Sequence, residues 1–163
     1  MLTAVTGLLL SLLYVAIFSF SDQESEQSSS LSREVTEKCV ETVTELSGKK
    51  LSKSLKEQLV EKLEKPVRKA AHFTEYAGMG FLVYILLAIW YEKNRARTGY
   101  SIAWVFVSAA FDEMHQLFVA GRYSSGWDVL IDTAGGVFGM ACVLLTRRLV
   151  LLIYRVAFRR KDV

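Results

Sequence analysis

The sequence predicts an all-α, polytopic membrane protein built as a bundle of four transmembrane helices. Three observations carry this reading. Hydrophobic residues make up 52% of the 163-residue chain. They gather into four blocks, each close to the ~20 residues a helix needs to cross a hydrocarbon core of about 30 Å. The stretch between the first and second blocks is instead charged and helix-prone, an excursion outside the membrane core. Helix is the predicted element because, in lipid, only a helix or a closed barrel satisfies its own backbone polar groups.

The first block, "MLTAVTGLLLSLLYVAIFSF" at 1–20, carries no charge. It lacks the basic start of a cleaved leader, and "FSFSDQ" offers no small-x-small cleavage site, so it is expected to stay as a helix. The 21–71 segment opens on "SDQESEQSSS" and then keeps a helical period through Val35, Cys39, Val43 and Leu46, and again through Leu51, Leu55, Leu59 and Leu63. With "SGKKLS" breaking the two apart, the spacing predicts two short amphipathic helices within 30–65, lying on the bilayer or on the bundle. The remaining blocks are "HFTEYAGMGFLVYILLAIWY" at 72–91, "SIAWVFVSAAFDEMHQLFVA" at 101–120 and "WDVLIDTAGGVFGMACVLLT" at 127–146. A basic tail, 147–163, suits a helix end emerging into an anionic leaflet. The two cysteines, Cys39 and Cys142, fall in unlike surroundings and are expected as free thiols.

The net charge of +3 matters less than its placement. Lys93, Arg95, Arg97 and the basic tail share one side and favour cytoplasmic N- and C-termini, although the excursion on the other side also carries many cations, balanced by anions. Alternating helices then bring the start of 72–91, the end of 101–120 and the start of 127–146 to one side, whatever the orientation. Those are the places with unusual residues. His72, Glu75 and Tyr76 share a helical face, as do Asp112, His115 and Gln116, and so do Asp128 and Asp132. Arg68, Lys69 and Arg122 flank them, and Glu113 points elsewhere around its helix. Asp112 is expected about eight residues from its helix end, roughly 12 Å deep, where a carboxylate costs on the order of 2.5–3.5 kcal/mol. Such groups are expected to turn inward into one polar pocket. Gly135 and Gly139 form a small-x-x-x-small spacing for packing within the bundle or, alternatively, for a homodimer.

Three spaced elements together resemble the VanZ-like membrane protein family. They are Lys69-x-x-His72-x-x-x-Tyr76; Asp112-Glu113-x-x-Gln116 followed by Gly121-Arg122; and Asp128-x-x-x-Asp132-x-x-Gly135. Asp132 departs from the pattern, which often has Asn there. The resemblance implies a protein of the bacterial plasma (inner) membrane, connected with envelope lipids and with susceptibility to teicoplanin and related lipoglycopeptides. It implies no settled chemistry.

From the residues themselves, the leading reading is a binding protein. Arg68, Lys69 and Arg122 would hold an anionic headgroup or lipid-linked envelope intermediate, because guanidinium forks match phosphate. Asp112, Glu113, Gln116, Asp128 and Asp132 would orient those cations or accept hydrogen bonds from the ligand. An intramembrane enzyme is the second reading, with His72 or Glu75 as general base and Tyr76 or Arg122 stabilising developing charge. A purely structural cluster is the third. For a metal, His72, Glu75, Asp112 and His115 include usable ligand atoms, but two histidines without zinc-type spacing make no set, so neither metal nor cofactor is expected. His115 reads as a hydrogen-bonded filler. Nothing in the chain carries a nucleic-acid signature.

Overall fold

The computed structural model describes residues 1–23, 25–48, 51–122 and 124–159. Five helices follow in order: α1 Leu2–Ser21, α2 Ser25–Leu46, α3 Lys53–Leu87, α4 Asn94–Gln116 and α5 Gly126–Arg159, with no strand among the described residues. α1, α3 and α5 are long and apolar enough to cross a membrane by length and composition. α4 is long but falls outside that set, since it carries Arg95, Arg97, Asp112 and Glu113 among its apolar residues.

α3 is the central helix and packs on all four others. Tyr76, Met79, Val83 and Tyr84 of α3 meet Leu10 and Ile17 of α1, Val105 and Ala109 of α4, and Met140 of α5 in one buried core. The closest approach is between α3 and α5. A methyl group added at Gly139 would strike the Ala77 carbonyl oxygen, one at Gly135 that of Phe73, and one at Gly80 that of Gly136. Absent side chains let these backbones touch. Gly135 and Gly139 thus serve packing within the bundle.

Several boundaries differ from the sequence expectation. The second amphipathic helix and the second apolar block are one 35-residue helix, with Pro66 in its interior. A proline there removes a single backbone donor, and "EKPVRKAAH" around it contains no glycine or turn residue to end the helix. Ser52 caps the start by accepting from the Leu55 N–H at 3.3 Å. α4 stops at Gln116 rather than 120, because 117–122 fold into successive tight turns, with Gly121 at φ +73°. Asp112 is therefore about one turn from its helix end, half the depth expected. α5 runs from Gly126 through the first part of the basic tail; residues 160–163, like Lys49 and Lys50 of the predicted break, lie outside the described residues.

α2 meets α3 through small residues and leaves its apolar stripe exposed. Ser32, Thr36 and Val40 are buried, while Val35, Cys39, Val43 and Leu46 are exposed. The small hydroxyl residues bond back into their own helix, Ser32 Oγ to the Ser28 carbonyl at 2.9 Å and Thr36 Oγ1 to that of Ser32 at 2.7 Å. They can thus face α3 with no unmet donor. At the opposite end of the bundle, Arg97 is buried, donates to the Tyr91 carbonyl at 2.8 Å and stacks over the Tyr84 ring. It closes the end of α3 as well as carrying charge.

Candidate functional site

On α3, Lys65, Arg68, Lys69 and His72 fall at i, i+3, i+4 and i+7, so helical periodicity alone lines them along one face. The end of α4 brings Glu113 and Gln116 opposite that face, and the first turns of α5 bring Asp128 and Asp132. With Gly121, Arg122 and Ile131 they enclose a recess of about 320 Å³.

Hydrogen bonds hold its walls. Gln116 is the hub, its amide donating to Asp112 Oδ2 at 3.1 Å and to Ser21 Oγ at 3.2 Å, while its Oε1 accepts from Arg122 at 3.3 Å. The rest of the Arg122 guanidinium donates to the carbonyls of Phe20 and Gln23, both at 3.2 Å. Arg122 therefore adds a side-chain cap to the end of α1. Glu113 accepts from the Ser125 N–H at 2.7 Å and ties the start of α5 to the end of α4. Lys69 pairs with Asp128. Arg68 and Lys65 make no hydrogen bond or ion pair among the described residues.

The sequence-predicted residues divide on this geometry. Arg68, Lys69, His72, Glu113, Gln116, Arg122, Asp128 and Asp132 line the recess. Tyr76 does not: it is fully buried against α4, its hydroxyl 3.5 Å from the Ser108 carbonyl. Glu75, 3.9 Å from His72 Nδ1, faces a smaller neighbouring cavity of about 160 Å³ that it shares with Arg68 and α2. His115 lies beside Asp22 and Phe18, outside the recess lining. Asp112 sits behind the recess wall, 1% exposed.

Asp112 is drawn into a group that sequence reasoning did not assemble. His72, Asp112 and Asp132 each present a ligand atom within 4.8 Å of the other two, one residue from each of three helices. The sequence had combined His72 and Asp112 with Glu75 and His115 instead, because local spacing carries no information on which residue of α5 arrives. Lys65 and Ser21 were also missed. Lys65 had a signal, its place one turn before Arg68 and Lys69; Ser21 had none.

A model of the VanZ/LLP1 family matches residues 6–148, from the first turns of α1 far into α5. No curated protein and no solved structure matches the chain.

Proposed function

The chain belongs to the VanZ/LLP1 family of membrane proteins, and from that footing we propose that its recess binds the anionic headgroup of an envelope lipid or lipid-linked intermediate. One observation carries the reading. Four cations, Lys65, Arg68, Lys69 and Arg122, line a single cavity, and two of them, Lys65 and Arg68, make no hydrogen bond or ion pair among the described residues. Lys69 is neutralised by Asp128 and Arg122 is occupied by carbonyls, so Arg68 and Lys65 are the groups that meet the ligand. A phosphate oxygen beside Arg68 would form charge-assisted bonds, stronger than those of a neutral headgroup.

In this reading α4 is the fourth crossing. Its outward side carries Trp104, Phe106, Val107 and Phe111, all exposed and suited to acyl chains, while Arg97, Asp112 and Glu113 are buried. The recess opens on the outer side of a bacterial plasma membrane and both termini are cytoplasmic, in keeping with Lys93, Arg95 and the arginines of the α5 end. Sequestering an envelope lipid there would alter susceptibility to teicoplanin-type lipoglycopeptides, which act on the cell envelope.

The test is the lipid complement of protein purified in native lipid particles. Phosphate-bearing lipid should be enriched over the surrounding membrane with the wild-type chain, and the enrichment should fall about tenfold in Arg68→Ala, a loss of ~1.4 kcal/mol. An unchanged complement in both Arg68→Ala and Lys65→Ala would refute the assignment.

A further inference from the structure

We infer that His72, Asp112 and Asp132 bind a divalent metal ion, Zn²⁺ or Mn²⁺, at the inner wall of the recess. The inference starts from an unbalanced pair of carboxylates. Asp112 is 1% exposed and Asp132 is 2% exposed, and neither forms an ion pair among the described residues. Asp112 uses one oxygen on Gln116, whereas its Oδ1 is buried with no hydrogen-bond partner. His72 Nδ1 is likewise buried and unpartnered. Two carboxylates this close repel one another, and a low-dielectric interior magnifies the repulsion. The neighbouring cations do not resolve it, since Arg122 is bound to the end of α1 and Gln116, Lys69 to Asp128, and Lys65 and Arg68 form no ion pair with either carboxylate among the described residues.

A divalent cation resolves both difficulties together, offsetting two negative charges and giving the imidazole a partner. One imidazole and two carboxylates are a mixed set that suits Zn²⁺ or Mn²⁺. Metal–ligand bonds of about 2.1 Å place ligand atoms roughly 3–4 Å apart, so side chains now within 4.8 Å of one another need only small rotations to close on an ion. The outer shell is also present. Gln116 orients Asp112, the kind of support that fixes ligand orientation at metal sites. Three protein ligands leave at least one coordination position, and His72 and Asp132 also line the recess. A phosphate oxygen held by Arg68 would be the natural fourth ligand. This last point rests on the headgroup reading; the metal site itself does not.

The experiment uses the full chain in lipid particles, prepared without chelator and analysed by inductively coupled plasma mass spectrometry. It is then stripped with EDTA and titrated separately with ZnCl₂ and MnCl₂, read by calorimetry and by melting temperature. About one equivalent of one metal per chain is expected, with a melting temperature that rises as that metal is added. Asp112→Asn and Asp132→Asn should each weaken binding at least about tenfold, while Glu41→Gln, on α2 and away from the recess, leaves it unchanged. Without metal, both triad variants should be at least as stable as the stripped wild type, because a repulsion has been removed, so their folding is not in question. Substoichiometric metal, with no response to either ion, would overturn the proposal and leave a shared proton as the solution to the carboxylate pair. The two readings fail separately: metal bound with an unchanged lipid complement in Arg68→Ala counts against the headgroup, and the reverse result against the metal.

Discussion

Replacing Arg122 should unfold the recess wall before it tests any ligand. Its guanidinium makes three hydrogen bonds of 3.2–3.3 Å, two to carbonyls at the end of α1 and one to the buried Gln116. These are long for N–H···O bonds, so each is assigned only about 0.5–1 kcal/mol, below the usual range for a charged donor. The sum for Arg122→Ala is about 2 kcal/mol, which for a chain of this size lowers the melting temperature by about 4–8 °C. Arg68, with no hydrogen bond or ion pair among the described residues, should change stability by less than about 0.5 kcal/mol when truncated. Both variants would be melted in lipid particles and followed by intrinsic tryptophan fluorescence. Arg122→Ala melting with the wild type, or Arg68→Ala falling as far as Arg122→Ala, would refute the division of labour between the two arginines. The comparison also fixes the order of functional work: loss of ligand in Arg68→Ala is interpretable, whereas the same loss in Arg122→Ala is mixed with loss of structure.

Two further outcomes follow from the packing and the surface charges. Gly139→Leu forces side-chain atoms against the Ala77 carbonyl and should cost about 1–3 kcal/mol or more by overpacking, visible as lower yield and melting temperature; Gly7→Ala, with open space around it, serves as the control that should not move. On the α2–α3 hairpin, the hydrogen bond from Lys56, then its charge, holds the Glu41 carboxyl below its ordinary 4.5. A depressed folded-state value means the pairing contributes above that pH and is lost as pH falls through the folded value. Hydrogen-exchange protection of α2, corrected for intrinsic rates, should therefore decline as pH falls below the ordinary 4.5, and Glu41→Gln should remove that part of the decline.

The convergence of the recess was legible in the sequence because it follows from topology: alternate helices must return to the same side, and ionic residues near those ends have nowhere else to go. Helical periodicity likewise placed Asp128 with Asp132, whereas the face it gave His72, Glu75 and Tyr76 divides, with only His72 of the three lining the recess. What was not legible depended on tertiary geometry. Nothing local distinguishes an arginine that meets a ligand from one that closes a helix end, and Arg122 does the second because the turn at 117–122 swings it onto α1. The stripe of Val35, Val43 and Leu46 left open whether α2 turns it to the bilayer or to the bundle; Ser32 and Thr36 are the residues buried, and the stripe stays exposed. The amphipathic stretch within 30–65 and the apolar block at 72–91 were expected as separate helices, yet one missing donor at Pro66 does not end a helix whose neighbours all favour it.

The continuity of α3 makes it a lever. Its fulcrum is the crossing where Gly80 rests on the backbone of Gly136, and Arg68 rides on the same shaft about 18 Å away. A swing of about ten degrees at that pivot carries Arg68 through roughly 3 Å, the difference between gripping a phosphate and releasing it. Whatever displaces the outer arm of α3, through α2 or through the bilayer surface, is felt in the cavity as a change in its grasp.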